Sequence, residues 1–321
     1  MIAITGAAGF IGSNLVHRLA GLGHDLLLVD HPLTAAKVVN WLGLRGFRFL
    51  DHTQFLESLA ADEHRPEVVF HLGACSSTIE SDWAYLERNN VDYSRAIWKW
   101  CAQRGCPFVY ASSAATYGDG SCGFDDRTLP TDLKPLNLYG RSKNDFDAWV
   151  FCEVATARPT PPQWAGVKFF NVYGPREGHK GRMASVVHHA WRQVLERGKV
   201  QLFRSTNPAI PNGEQCRDFV FVADCVDHLL WLWQHPAPDG LYNSGTGIAR
   251  SFLDLAGAVF TALGRGPDIQ FIDMPSDLAS RYQNFTRADL SKLRAAGYNR
   301  PATPLEIGVT QTVQWLQSNP S

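Results

Sequence analysis

Gly6, Gly9 and Gly12 follow directly on an apolar run that begins at Met1, and this spacing leaves the chain few ways to start. A buried strand over Ile2–Thr5 is expected, then a tight turn, then a helix over residues 10–22. Glycines in such a turn let backbone N–H groups approach an anion, and the helix N-terminus adds partial positive charge. A dinucleotide pyrophosphate suits that place. A second apolar run over residues 26–29 reads as the next strand and ends at Asp30, 24 residues after Gly6. A carboxylate there can accept from an adenosine ribose hydroxyl, which taken alone favours NAD. His31 and Lys37 lie just beyond and could accept a 2′-phosphate, so NAD and NADP both stay open.

Further short apolar runs at residues 68–70 and 108–110 are separated by a helical stretch over residues 80–103. This β/α alternation predicts an α/β fold, a doubly wound parallel Rossmann sheet whose ligands sit at the C-terminal strand ends. The strand at residues 68–70 runs into Leu72-Gly73-Ala74-Cys75-Ser76, small residues that suit a backbone passing close to a cofactor or a close strand–helix packing point. After Asn171-Val172-Tyr173-Gly174-Pro175-Arg176 the character changes, with a long loop at 205–215 and a return to strand at 218–222. The expected division is a dinucleotide-binding domain over 1–170, rejoined by 217–240, and a smaller interleaved α/β substrate lobe over 171–216 and 241–321. Helices are expected there at 252–263, 288–296 and 305–316 from their apolar spacing.

Thirty basic residues against thirty-one acidic ones leave no global field for nucleic acid or an anionic membrane, so an anionic ligand must be held locally. Met1 leads straight into strand without a basic leader, and no apolar run approaches the roughly 18 residues that span a bilayer; a cytosolic protein is expected. Seven cysteines without a CxxC pair point to reduced thiols rather than a metal site.

The catalytic candidates are Ser113, Tyr139 and Lys143. Tyr139 and Lys143 are four apart on an expected helix and so share a face. A phenol of reference pKa about 10 is a poor base unless a nearby cation favours its phenolate, and Lys143 is expected to lower it. Tyr139 could then take a proton from a sugar hydroxyl while Ser113, at a strand end before that helix, bonds the same oxygen.

These residues resemble the extended short-chain dehydrogenase/reductase family over essentially the whole length. The runs Phe170–Val186 and Gly73–Thr78, with Arg281-Tyr282-Gln283, are similar to its branch that inverts C6 of the heptose in an ADP-linked sugar, for lipopolysaccharide inner-core precursors. That resemblance implies tightly held NADP, a transient 6-keto sugar, and a homo-oligomer. It implies Lys180 as the second acid/base group, opposite Tyr139. It carries over Phe10, Ile11, Asp30, His31, Lys37, Leu72, Gly73, Ala74, Cys75, Ser76, Asn89, Lys143, Val172 and Lys180 to the cofactor. It assigns Ser113, Asn171, Arg182, His189, Phe203, Arg217 and Tyr282 to the substrate. Arg217 could hold a diphosphate through parallel hydrogen bonds or pair with neighbouring Asp218. Two positions depart from the family's pattern: His31 stands where asparagine is common, and Leu72 replaces a polar residue. Both bear on the choice between NADP and NAD. The loop at 205–215 is longer than in some members, which bears on how the sugar is covered. A 4,6-dehydratase would need a carboxylic acid where Ala114-Ala115 stand. A UDP-sugar 4-epimerase uses the same Ser, Tyr and Lys and remains the alternative.

Overall fold

The computed structural model describes residues 1–235, 237–275 and 282–319. Its centre is a sheet of seven parallel strands: β1 (Ile2–Thr5), β2 (Leu26–Asp30), β3 (Phe47–Asp51), β4 (Val68–His71), β5 (Phe108–Ser113), β6 (Trp164–Phe169) and a last strand, Gly240–Ser244. Their spatial order is Gly240–Ser244, β6, β5, β4, β1, β2, β3. The order reverses between β1 and β4, and ligands of doubly wound sheets bind in the crevice outside that switch point. Strands β1, β2, β4 and β6 are buried along their whole length, because helices cover both faces. The sheet's two faces carry the cores built around Ile4, Leu28 and Phe70 on one side and Ala3, Trp98 and Tyr110 on the other.

Most expected elements appear with shifted ends. The first helix runs Phe10–Gly21. The expected helix over 80–103 starts at Trp83, because Asp82 caps it by accepting from Tyr85 N at 3.0 Å, and it runs to Arg104 through a π-type turn at Glu87–Asp92. The helix expected over 288–296 shrinks to Ser291–Ala295. Ahead of it, the N–H groups of Ala288 and Asp289 donate to Asp218 and to the Phe124 carbonyl, so the chain is tethered before it can coil. Strands β3 and β6, like the last strand Gly240–Ser244, have no counterpart among the expected elements. Strand β3 is a half-exposed edge strand, and Gly166 and Lys168 interrupt the apolar run of β6.

A second core gathers Val187, Trp191, Leu202, Phe219, Phe221, Phe260 and Val313. It joins the helices Val186–Arg197, Phe252–Ala262 and Leu305–Ser318 to two small parallel pairs, Asn171–Tyr173 with Phe219–Phe221 and Val200–Phe203 with Ile269–Ile272. The strand Gly240–Ser244 belongs to the central sheet, and Leu293 and Tyr298 pack on the central core. Parts of the segment assigned to the small lobe from 241 onward are therefore built into the larger one. The seven cysteines are free thiols. Among the described residues no helix is long and apolar enough to cross a membrane.

Candidate active site

One cavity of about 730 Å³ opens at the switch point, between the sheet's C-terminal edge and the second core. Gly6 takes φ +65°, and a Cβ on it would lie 2.7 Å from the Gly73 Cα; a Cβ on Gly12 would lie 2.0 Å from the Gly6 carbonyl oxygen. Neither position admits a side chain. The turn after β1, the segment after β4 and the first helix are pressed together backbone to backbone, the close approach that a glycine-rich dinucleotide turn requires. Thr5 locks this junction, with its Oγ1 accepting from Gly73 N at 3.1 Å and bonded to His71 Nδ1 at 2.6 Å.

All the residues assigned to the cofactor line this cavity: the turn Gly6, Gly9, Phe10, Ile11, Gly12; Asp30, His31 and Lys37; Leu72 to Ser76; Asn89, Val172 and Lys180. Asp30 does more than face the cavity. Its Oδ2 accepts from Ala8 N at 2.9 Å, while Oδ1 accepts from His31 N at 2.9 Å and from Lys37 Nζ at 2.7 Å. The carboxylate is thus largely engaged within the protein.

The catalytic candidates converge on the same space. Asn137 caps the helix Leu138–Ala155 by accepting from Gly140 N at 2.8 Å, and Gly140 lets that helix close on Ala115, whose carbonyl would be 2.8 Å from a Cβ. Tyr139, Lys143 and Ser113 all line the cavity. Lys143 Nζ donates to the Ala111 carbonyl at 2.9 Å. Burial pulls its pKa down to about 8, with Asp147 pulling the other way. The expectation that Lys143 lowers the Tyr139 phenol is not met. Burial pushes that phenol up, and the group that draws it back is the hydroxyl of Ser113. The physical reason is that the ammonium is turned onto a backbone carbonyl of β5.

Lys180 enters from the other lobe, on the short 3₁₀ segment Gly178–Met183, with its Nζ 5.5 Å from the Phe10 ring centre. Burial lowers its pKa and the adjacent Glu177 raises it. Glu177 fixes this loop by accepting from Gly174 N and from Ser185 Oγ at 2.6 Å. His179 ties the loop across to Asn40 Nδ2 at 3.0 Å.

Of the substrate assignments, Ser113, Asn171, Arg217 and Tyr282 line the cavity, whereas Arg182, His189 and Phe203 do not. Arg182 is exposed, and His189 Nε2 faces its carbonyl oxygen at 3.4 Å. Arg281 lies outside the described residues. Arg217 is buried, donates to the Cys216 carbonyl at 3.0 Å and sits 4.9 Å from the Tyr282 ring centre. The pairing with Asp218 is absent, because that carboxylate accepts from Thr246, Gly247 and Ala288 instead. Among the described residues Arg217 has no carboxylate partner.

Two site-shaping residues went unread in the sequence. Asn90, in the π-type turn, accepts from Cys75 N at 2.8 Å and donates to Cys75 O and Ser142 Oγ, pinning the segment after β4 to the catalytic helix. Asp147 lies four residues past Lys143 on the same helical face, a spacing that could have been read.

The profile of the NAD dependent epimerase/dehydratase family matches residues 2–245. The chain belongs to that family. Family relatives include the ADP-L-glycero-D-manno-heptose-6-epimerase of Alkalilimnicola ehrlichii, 46% identical with 100% of this chain and 99% of that one covered. Among solved structures of this kind, the ADP-L-glycero-D-manno-heptose-6-epimerase of Helicobacter pylori superposes with a TM-score of 0.82 over 99% of this chain and 96% of that one, at 24% identity, which shows the shared fold. The UDP-glucose 4-epimerase of Thermus thermophilus, solved with NAD, gives a TM-score of 0.79 at 28% identity over 99% of each chain.

Proposed function

We propose that this chain inverts C6 of the heptose in an ADP-linked glycero-manno-heptose, using a held NADP and passing through a 6-keto sugar. The observation that carries the reading is that Tyr139 and Lys180, proton-handling side chains from different lobes, line one cavity together with a buried guanidinium, Arg217, free of any carboxylate among the described residues. Inversion asks for proton transfer with either face of one carbon presented, and an unpaired buried cation is a place for a diphosphate. The choice of sugar is supported by the full-length relative at 46% identity that carries that name. The homo-oligomeric expectation rests on the resemblance alone.

The crowded glycines after β1 fit a dinucleotide, because a side chain at Gly6 or Gly12 would fill the space where backbone meets phosphate. The Gly6–Gly12 turn would hold the pyrophosphate, and Lys37 with His31 the adenosine ribose end. When bound, the cofactor supplies the acceptor and donor of hydride. Tyr139 takes the proton of the sugar hydroxyl, with Ser113 bonded to the phenol and holding it towards that oxygen. Lys143, one turn further on, donates to the Ala111 carbonyl and ties the catalytic helix to β5 beside Ser113. Lys180 serves the oxygen from the other lobe when the opposite face is presented. Arg217 and Tyr282 hold the diphosphate end.

Incubating the protein with ADP-D-glycero-D-manno-heptose and no added cofactor, and following the sugar by NMR, is expected to show the C6 epimer accumulating. Absence of turnover on that sugar, with conversion of UDP-galactose instead, would overturn the reading in favour of a 4-epimerase.

A further inference from the structure

The ribose end of the cavity is built from two adjacent strand ends. Strands β2 and β3 pair in register with Asp30 opposite Asp51, so the next residue on each, His31 and His52, emerges side by side at the sheet's C-terminal edge. The two imidazole rings lie 3.9 Å apart, centre to centre, tilted 48° to one another. Both line the cavity, with Lys37 beside them. Two closely apposed imidazoles with a lysine at their flank are an arrangement for an anion.

The other groups facing this pair come from every element around it. Asp30 ends β2 and bonds His31 N and Lys37. Asp51 ends β3 with an oxygen 3.2 Å from His52 Nδ1, and is also taken up in capping the helix His52–Ala60 through Thr53. Tyr93, on the helix behind, donates to the His52 carbonyl and keeps its ring 5.9 Å from the imidazole. His179 and Lys180 reach in from the opposite lobe, and burial holds His179 down to about 4. Asp30 is the only carboxylate among the described residues lining the cavity, and its oxygens already accept three internal hydrogen bonds. A bare ribose 2′-hydroxyl therefore meets an acid that is largely engaged, whereas a phosphate on that hydroxyl meets His31, His52 and Lys37.

We infer that His31 and His52 form a clamp for the 2′-phosphate of the cofactor, with His31 its titratable member, so that the chain discriminates NADP from NAD by a margin that grows as the pH falls. This rests on the dinucleotide reading of the cavity. Burial and the neighbouring His52 hold His31 below the ordinary histidine range, with Asp30 opposing them. A phosphate dianion set against His31 favours its charged form, so NADP binding takes up a proton. NAD brings no such charge. Each proton taken up steepens the NADP affinity by at most about tenfold per pH unit, and the phosphate keeps its second charge down to about pH 6.

The test is titration calorimetry on cofactor-stripped protein with NADP and NAD at pH 6.5 and 8.5, each in two buffers of different ionisation enthalpy, with adenosine 2′,5′-bisphosphate and 5′-AMP as fragment probes. The ratio of the NAD to the NADP dissociation constant is expected to rise by about tenfold from pH 8.5 to 6.5, with proton uptake seen for NADP and the bisphosphate only. In His31→Asn/His52→Asn, substitutions at half-open positions that leave the buried core alone, the ratio is expected to lose that pH dependence. A ratio that stays flat in the wild type while both dinucleotides bind, or one that keeps its slope in the double variant, overturns the clamp and leaves the cofactor reading intact. Binding of neither dinucleotide at either pH overturns both.

Discussion

Lys168 Nζ lies 3.0 Å from Asp147 Oδ2, and both side chains are wholly removed from solvent. The pair sits directly under the catalytic strand end. Asp147 also accepts from Tyr110 Oη at 3.0 Å and Ser112 Oγ at 2.6 Å. Lys168 reaches Thr116 Oγ1 at 2.6 Å, and that hydroxyl donates to the Ser113 carbonyl. Residues on both sides of Ser113 are thus anchored to one buried ion pair. Removing one partner leaves an uncompensated charge, so Lys168→Met is expected to cost about 3–5 kcal/mol of stability, read by urea unfolding. Lys168→Met/Asp147→Leu is expected to recover a large part of that loss. A double variant as unstable as the sum of the two single ones would show that the pair is not coupled.

Tyr139→Phe and Lys180→Met are each expected to slow epimerisation by roughly 10² or more while leaving thermal unfolding close to that of the parent protein. Single-turnover rates on the ADP-heptose measure this. A variant with a near-normal rate removes that residue from proton transfer.

Arg217→Met keeps much of the aliphatic packing on Phe252 and Tyr282 but deletes the charge. Since no carboxylate among the described residues is left behind unpaired, stability is expected to hold. Substrate binding is expected to weaken by about 1.5–3 kcal/mol, the range for hydrogen bonds to charged groups, seen as a raised KM. A KM equal to the parent value, with stability lost instead, would assign Arg217 to the fold alone.

The pH dependence of stability follows from two histidines buried neutral. Burial, with Lys143 adding to it, lowers His71 to about 3, and burial, with Arg294 adding to it, lowers His228 to about 3. Below the ordinary histidine value of about 6.5 the unfolded chain binds these protons and the folded one does not, so stability falls as pH drops from 6.5 towards 3. His228→Asn is expected to shallow that slope in urea titrations at pH 4 and 6. An unchanged slope would contradict the assignment.

Much of this site could be read along the chain because its parts are local. A glycine turn after an apolar strand, a Tyr and a Lys one helical turn apart, and a strand ending in Ser113 are each set by neighbours a few residues away. The same holds for the parallel doubly wound plan, which follows from β/α alternation, though only four of the seven strands, β1, β2, β4 and β5, were read from it. What escaped reading depends on distant partners. The edge strand β3 is a strand because β2 pairs with it, and Ser291–Ala295 is short because Asp218 and Phe124 hold the residues before it. The pairing offered for Arg217 and the cation effect expected on Tyr139 also failed on such partners, since Asp218 and Lys143 face elsewhere.

By itself the sequence determined which chemistry the chain can hold, since residue type and short-range spacing decide where a turn can form and which side chains share a helix face. Only the tertiary structure decided which charges meet. Asp30 was bound to Lys37, Asp147 to Lys168, and Arg217 left without a carboxylate among the described residues by the packing of strands and lobes far apart in the chain. Electrostatics act through space, across a buried interior that screens them weakly, so the order of residues along the backbone does not disclose them.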